Sequence, residues 1–122
     1  MLYRYQKEYE KIVLGILSLS QERSNLEYLK QEIDWYCASD NRNLFIWKDQ
    51  FNNWAGVIGV ETKYYFILLR RITLTPDVNT MFNIFHVLDN LQKIYPDKQI
   101  VGTLKNKLII AKWERNNEQR WN

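Results

Sequence analysis

The stretch Tyr64–Tyr95 constrains the possible folds of this chain more than any other part of the sequence. It begins with an apolar, strand-like run that ends at Thr75–Asp77, and a long helical pattern with a wide apolar face follows. A short strand-like run, Gln99–Leu104, comes next. Parallel neighbouring strands need a crossover connection, so this order predicts a βαβ unit. Ligands of open α/β sheets bind where a strand ends and a helix begins, and anions favour a helix N-terminus, which makes Thr75–Ile84 the first candidate binding site.

The rest of the chain predicts an antiparallel meander and further helices. The runs Leu44–Lys48 and Trp54–Val60 are strand-like, and short polar turns join them to each other and to the strand at Tyr64. Ser24 and Glu27 have the capping-box spacing, so we expect a helix to open there. The predicted elements are, in order, a strand over 2–5, helices over 8–19 and 24–37, strands over 44–48, 54–60 and 64–74, a helix over 77–95, a strand over 99–104 and a helix over 108–113.

This order, β-α-α-β-β-β-α-β-α, predicts an α+β fold, a mixed α/β sandwich with helices on both faces of a mixed sheet. The 122 residues are enough for one domain with one modest core. We expect that single domain to span residues 1–115 and a polar tail to cover residues 116–122.

Charge and composition limit the classes of partner. The net charge of +3 permits an anionic ligand but does not indicate nucleic acid, which calls for a more basic stripe. A lone cysteine, Cys37, cannot form an internal disulfide, which fits a cytoplasmic setting, and its helical spacing predicts a small core residue. The N-terminus is polar and predicts no signal peptide, and the longest uncharged run, Ile12–Gln21, is far shorter than the about 20 apolar residues of a membrane span. We therefore expect neither a nucleic acid nor a membrane as partner.

The element order and several short stretches resemble the GNAT (Gcn5-related) N-acetyltransferase superfamily, and within it the RibT proteins of bacterial riboflavin operons. The resemblance implies an acetyl-CoA-dependent N-acetyltransferase whose acceptor is an amine of a small molecule or of a protein. The stretches that carry it are Tyr5–Ile12, Leu17–Ser18, Leu44–Trp47, Gly56–Val60, Arg71–Pro76 and Tyr95–Thr103.

The same resemblance implies where acetyl-CoA binds. The cofactor arm is expected along Ile72, Thr73 and Leu74, at the end of the third meander strand. The phosphates are expected at the following helix start, and a polar residue after the fifth strand is expected to help hold the cofactor. These further positions are Asp77, Val78, Asn79, Thr80, Met81 and Asn106.

The phosphate loop departs from the superfamily pattern Arg/Gln-x-x-Gly-x-Gly/Ala. The pattern falls on Asn79–Ile84, with Asn79 at the leading position and the bulky Phe82 and Ile84 at the two glycine positions. Bare backbone is what lets a loop approach phosphates closely. The alternative is therefore a catalytically inactive GNAT-fold binding or regulatory module, possibly a homodimer, in which Phe82 and Ile84 fill the phosphate site.

The candidate chemical groups each have a second interpretation. Glu61 is the carboxylate that the resemblance suggests as general base, or it is an ordinary residue of a hairpin turn. Of Arg70 and Arg71, one is expected to face a helix or cleft and the other the opposite face, because neighbouring strand residues alternate. One of them lies near a ligand carboxylate or phosphate, or they belong to a solvated strand end or a structural ion pair. The lysines 105, 107 and 112 either attract CoA phosphates or form a solvated surface.

The remaining histidine and aromatic residues give weaker indications. His86, the only histidine, lies on the polar face of its helix and predicts a solvated side chain, and no metal motif is present. The predicted last helix, Leu108–Trp113, has no tyrosine to act as the superfamily's acid, and Trp113 predicts packing. Four aromatic residues are either core or the lining of a substrate cleft, namely Tyr64, Tyr65, Trp47 and Trp54.

Overall fold

The computed structural model describes residues 1–19 and 25–121. These residues form a five-stranded sheet in the order β1-β2-β3-β4-β5, antiparallel except for the parallel pair β4 and β5. Short 3₁₀ helices, Lys7–Tyr9 and Pro76–Val78, precede α1 and α3. The elements are β1 (Leu2–Arg4), α1 (Glu10–Ser18), α2 (Leu26–Cys37), β2 (Arg42–Lys48), β3 (Trp54–Thr62), β4 (Phe66–Leu74), α3 (Met81–Ile94), β5 (Gln99–Gly102) and α4 (Lys107–Trp121).

The sheet carries a separate apolar core on each face. Leu44, Ile46 and Val57 pack with α1 and α2, whereas Phe45 and Ile58 pack with α3 and α4. Side chains of a strand alternate between the two faces, so the nearly unbroken apolar runs of β2 and β3 supply both cores. The prediction of an α+β sandwich with helices on both faces of a mixed sheet is confirmed.

One irregularity interrupts the pairing of β3 with β4. Gly59 is opposite Arg71, whereas the next residue, Val60, is opposite Leu69. Arg70 is therefore an extra residue on β4 with no partner on β3. A β-bulge of this kind breaks the alternation of side chains and redirects those that follow.

The helix starts differ from the predicted ones. Ser24 of the predicted capping box lies outside the described residues, and α2 is capped by Asn25, whose Oδ1 accepts from the Glu27 amide at 2.8 Å. The helix α3 begins at Met81 rather than near residue 77, because Thr80 caps it and accepts from the Asn83 amide at 3.2 Å.

The last helix and the third meander strand also differ in extent. The helix α4 continues to Trp121, well beyond the predicted end at Trp113. Trp113 is buried, as expected of a packing residue, and its Nε1 donates to Asp89 of α3 at 2.9 Å. Residues Tyr64 and Tyr65 belong to the turn before β4 rather than to the strand, and both side chains are exposed. Among the described helices, none has the length and apolar character to cross a bilayer.

Candidate active site

The site begins where β5 leaves β4. The two strands pair from Phe66 to Leu69 of β4. At the end of this pairing, the Leu69 carbonyl accepts hydrogen bonds from the Thr103 amide at 3.2 Å and from Asn106 Nδ2 at 3.2 Å. In the described part of the chain, no strand pairs with this edge of β4 beyond Leu69.

In the part of β4 beyond Leu69, the backbone N–H and C=O groups of alternate residues face the unpaired edge. The Thr75 amide donates to the Ala55 carbonyl of β3 at 2.8 Å, so the backbone of Thr75 faces β3. Alternate residues of a strand turn their N–H and C=O groups to opposite edges. Those of Ile72 and Leu74 therefore face the open edge, where an edge strand can pair with a further chain or ligand.

Asn106 fixes the turn that separates the two strands. It is the buried polar residue of the described cores, 4% exposed, and its Nδ2 also donates to Thr103 Oγ1 at 3.2 Å. The turn packs directly on Gly102, because a Cβ at that position would lie 2.8 Å from the Asn106 carbonyl carbon. The predicted cofactor residue Asn106 thus ties the β5–α4 turn to the backbone of β4 at Leu69.

A cleft of about 400 Å³ lies between this open edge and helix α2. One wall is the bulged half of β4, the second is one face of α2, and the third is the turn before α4. Its lining residues are Tyr28, Gln31, Glu32, Trp35, Tyr36, Arg70, Arg71, Ile72, Thr73, Lys105 and Asn106.

The bulge places both arginines of β4 in this cleft. The prediction that Arg70 and Arg71 face opposite sides is wrong, because the extra residue at Arg70 interrupts the strand alternation. Arg71 forms a paired contact with Glu32 of α2, in which Nε donates to Oε2 and Nη2 donates to Oε1 at 2.7 Å. Its Nη1 donates to Thr73 Oγ1 at 2.9 Å. Burial acts to lower the pKa of Arg71, but the hydrogen bonds and charge of Glu32 outweigh it and raise that pKa.

Arg70 is less restrained than Arg71. Its Nη1 donates to Glu61 Oε1 at 3.2 Å, and its Cζ lies 4.9 Å from the centre of a Trp35 ring. The side chain is 40% exposed. The remaining guanidinium N–H groups are therefore accessible to a ligand.

Glu61 lies behind Arg70 and outside the cleft lining. It is a β3 residue paired with Arg42 and Leu68, so its interpretation as a hairpin-turn residue is wrong. A hydrogen bond from Lys63, together with the charges of Lys63 and Arg70, holds the pKa of Glu61 below its ordinary value despite partial burial. The carboxylate of Glu61 is therefore joined to the cleft through Arg70 and does not line it.

Tyr36 contributes a polar atom that the sequence did not single out. The residue is 4% exposed, and its ring lies on Gly59, where an added Cβ would be 2.2 Å from the hydroxyl oxygen. Burial, followed by the Glu32 charge, raises the pKa of the Tyr36 phenol, so the hydroxyl stays protonated. No hydrogen bond joins this hydroxyl to another of the residues that the structure describes.

The wall contributed by α2 had a signal in the sequence. Tyr28, Glu32 and Trp35 recur at helical spacing beside the buried stripe of Leu29 and Ile33. A polar and aromatic face next to an apolar one is what a helix lining a cleft presents. The signal is weak because a solvated helix face has the same spacing.

The predicted phosphate loop lies apart from the cleft. Asp77 and Val78 are in the 3₁₀ helix, and Thr80 satisfies the Asn83 and Ile84 amides through its side chain and carbonyl. The first amides of α3, those of Met81 and Phe82, have no intrahelical partner, as at any helix start.

The two bulky residues at the glycine positions differ in placement. Ile84 is 8% exposed and belongs to the core with α4, whereas Phe82 is 66% exposed. The Phe82 ring lies edge-on to His86 at 4.5 Å between centroids. Obstruction of the phosphate site by Phe82 stays a prediction, since its side chain is exposed at the helix start rather than packed into the core.

The other candidates are peripheral to the cleft. His86 is exposed, as predicted, but Cys37 is also exposed, which corrects its assignment to the core. Of the predicted cationic group, Lys105 lines the cleft and Lys107 and Lys112 are exposed outside it. Within residues 1–19 and 25–121, His, Cys, Asp and Glu form no cluster suited to a metal ion. The aromatic residues proposed for a cleft, Tyr64, Tyr65, Trp47 and Trp54, do not line this one.

Comparison with known proteins gives curated relatives and many structures of the same fold. The chain is 31% identical over 115 residues to an uncharacterized N-acetyltransferase of the lysA 3′ region of Bacillus methanolicus, a match that covers 93% of this chain and 95% of the relative. No family model matches the chain.

Three solved structures illustrate the likeness of fold. An aminoglycoside 6′-N-acetyltransferase from Acinetobacter haemolyticus matches 95% of this chain and 88% of its own, with a TM-score of 0.68 and 9% identity. A GNAT family acetyltransferase from Staphylococcus aureus matches 84% and 83%, with a TM-score of 0.64 and 11% identity. A spermidine/spermine N-acetyltransferase from Vibrio cholerae matches 94% and 75%, with a TM-score of 0.60 and 14% identity.

Proposed function

Because this chain belongs to the GNAT N-acetyltransferase superfamily, we propose that it transfers the acetyl group of acetyl-CoA to an amine of a small molecule or protein. The observation that carries the proposal is the unpaired edge of β4 beyond Leu69, which opens directly onto a polar cleft. Within the superfamily we place the chain with the RibT-like proteins of riboflavin operons, on the sequence stretches given above.

The residues present fit acetyl-CoA in two places. The open-edge backbone groups of Ile72 and Leu74 can pair with the amides of an extended pantetheine arm, as a strand added to a sheet edge does. The first amides of α3, at Met81 and Phe82, and the positive end of the helix favour a pyrophosphate. Asn79 and Thr80 flank this helix start and supply further polar groups.

Acetyl-CoA supplies an activated acetyl group in the form of a thioester. The task of the chain is to hold the acceptor beside the β4 edge and to take a proton from its ammonium group, since only the neutral amine is a nucleophile. We assign that proton transfer to Glu61 through water, because Glu61 Oε1 lies 3.2 Å from Nη1 of the cleft residue Arg70. The carboxylate of Glu61 is ionised at neutral pH and can accept a proton, and its lowered pKa makes it a weaker base than an ordinary glutamate.

A direct test combines binding with turnover. Isothermal titration calorimetry with CoA and acetyl-CoA is expected to give one site per chain, and a thiol-release assay with a panel of amines is expected to give amine-dependent CoA production. Absence of binding for both nucleotides at high protein concentration would contradict the proposal.

A variant of Glu61 separates its two possible roles. Glu61→Gln keeps the shape of the side chain and removes the charge. If Glu61 takes the proton, kcat falls by about 10²-fold or more, in line with general-base contributions, and the acidic limb of the pH–rate profile is lost. A change confined to KM would instead show that Glu61 only positions Arg70.

The second candidate function is the binding or regulatory module without catalysis. The observation that favours it is the loss of both glycines, with Ile84 buried in the core. It predicts association that does not depend on CoA in light scattering, together with no thiol release from any amine.

A further inference from the structure

The cleft walls carry more positive than negative charge. Arg70, Arg71 and Lys105 line it, against the single carboxylate of Glu32. Glu32 is held by Arg71 through both of its oxygens, so this pair is a link between α2 and β4. The cleft therefore offers no carboxylate without a cation beside it to a positively charged substrate.

Arg70 is the cation that is arranged to meet a ligand. The bulge turns it toward the cleft, and Glu61 engages its Nη1 alone. Arg71, by contrast, uses Nε, Nη1 and Nη2 on Glu32 and Thr73. A guanidinium with unused donors on a cleft wall is suited to a carboxylate or a phosphate, which it can bind through two parallel hydrogen bonds.

The Tyr36 hydroxyl is a second donor in the same cleft. The residue is 4% exposed as a whole and lines the cleft, and its hydroxyl forms no hydrogen bond within the described residues. The Tyr36 ring lies between the Trp35 side chain, at 5.0 Å between ring centroids, and Gly59 of β3. An oxygen atom of a ligand in the cleft would satisfy this hydroxyl.

We propose that the acceptor is an amine that also carries an anionic group, a carboxylate or a phosphate, which Arg70 and the Tyr36 hydroxyl bind. This inference rests on the proposed function. In the transfer, the ammonium first loses one proton through water to Glu61 and on to solvent. The neutral amine nitrogen then bonds to the acetyl carbon, the carbon–sulfur bond of the thioester breaks, and the second proton lost by the nitrogen ends on the departing thiolate, which leaves as the CoA thiol. The anionic group takes no part in these steps and serves to position the amine.

A series of matched amines tests the proposal. Benzylamine, 4-(aminomethyl)benzoate and 4-(aminomethyl)phenylphosphonate share an aminomethyl-substituted ring. At the far end of the ring they carry a hydrogen, a carboxylate and a phosphonate, respectively. With acetyl-CoA, kcat/KM is expected to be at least about tenfold higher for an anionic member than for benzylamine, as one charge-assisted interaction gives. The better of the two anionic amines identifies the group as carboxylate or phosphate. Equal values for all three, or a preference for spermidine, would overturn the proposal.

Variants assign the effect to the cleft. Arg70→Gln is expected to abolish the preference, because it raises KM for the anionic amine about tenfold more than it raises KM for benzylamine. The matched control is Lys63→Gln, because Lys63 also pairs with Glu61, at 3.1 Å, but lies outside the cleft lining. Tyr36→Phe keeps the ring and removes the hydroxyl, and is expected to raise the same KM by a smaller factor. Weaker CoA binding by Arg70→Gln, with the amine preference intact, would assign the anion to CoA and overturn the proposal.

Direct calorimetry keeps this inference separate from the proposed function. The anionic amine is titrated into the CoA-loaded protein and into the protein alone. Binding that Arg70→Gln removes supports the anion site even if no acetyl transfer is detected. A protein that binds CoA and acetylates benzylamine but binds neither anionic amine retains the proposed function and loses this inference.

Discussion

At the scale of single residues, Gly59 determines where the cleft hydroxyl lies. A Cβ at this position would be 2.2 Å from Tyr36 Oη and 2.3 Å from Cζ, closer than any real contact. Because the ring is wedged between α2 and the sheet, Gly59→Ala is expected to lower the free energy of unfolding by about 1–3 kcal/mol, as overpacking does. Urea denaturation at neutral pH measures the change.

Gly15 provides the matched control for that substitution. It lies within α1, and an added Cβ meets no atom within 4 Å. Gly15→Ala is therefore expected to raise the free energy of unfolding by about 0.5–1 kcal/mol through helix propensity. Equal effects of the two substitutions would show that Tyr36 does not rest on Gly59.

The charge of Glu61 makes stability depend on pH in a defined direction. The hydrogen bond from Lys63 lowers the pKa of Glu61 in the folded protein below its ordinary value of 4.5. The ionised carboxylate therefore stabilises the fold above pH 4.5, and this contribution is lost as the pH falls through the lower folded value. The difference in unfolding free energy between the unaltered protein and Glu61→Gln is expected to be largest near neutral pH and to shrink in acid. Urea denaturation across the pH range measures it, and a difference that grows in acid would contradict the assignment.

How well the sequence predicted the position of a single residue depended on what determines that position. Asn106 was indicated by the resemblance, and it is buried in the lining of the cleft, where its contact with CoA stays a prediction. The position of Arg70 was not predictable, because the bulge that redirects it contains no glycine and leaves no mark on an apolar and basic run. The exposure of Phe82 was not predictable either. Phe82 lies in the first turn of α3, and the helix begins at Met81 rather than at the predicted start near residue 77.

At the scale of elements, the open edge of β4 is the part that the proposed function needs. Ile72→Pro removes an amide that faces the open edge, and proline is tolerated in strands at such positions. The variant is expected to fold and to lose about tenfold or more in CoA affinity by calorimetry, because a hydrogen bond to the pantetheine arm is lost and the donor cannot be replaced.

The control for this strand is Ile72→Ala, which keeps the amide and shortens the partly buried side chain. Circular dichroism establishes that both variants are folded. If the proline and alanine variants bind CoA equally well, the open edge does not hold the pantetheine arm.

The elements themselves were predictable where periodicity was strong. The meander and its helical crossover followed from apolar runs separated by polar turns, and all five strands lie where they were expected within a few residues. The end of α4 was not predictable in this way, because its last turns are polar and carry no apolar stripe. Residues that favour a helix but form no apolar face are equally typical of a polar tail.

At the scale of the whole molecule, the two cores share one sheet and should unfold together. Strand β2 supplies Leu44 and Ile46 to one core and Phe45 and Trp47 to the other. Loss of either core exposes apolar residues of the same strand, so a single cooperative transition is expected, as for most domains of this size. Coincident transitions in circular dichroism and tryptophan fluorescence test this expectation.

Ligand binding is therefore expected to stabilise the molecule as a unit. CoA at about 100 times its dissociation constant should raise the unfolding free energy by about 2.7 kcal/mol and shift the single thermal transition upward. Pantetheine at the same concentration should give a smaller shift, because it lacks the pyrophosphate that α3 is proposed to bind.

Phe82→Ala should leave the CoA shift unchanged, since the Phe82 ring is turned toward His86. A larger CoA shift in Phe82→Ala would instead show that this side chain obstructs the helix start, and equal shifts from CoA and pantetheine would remove α3 from the binding site.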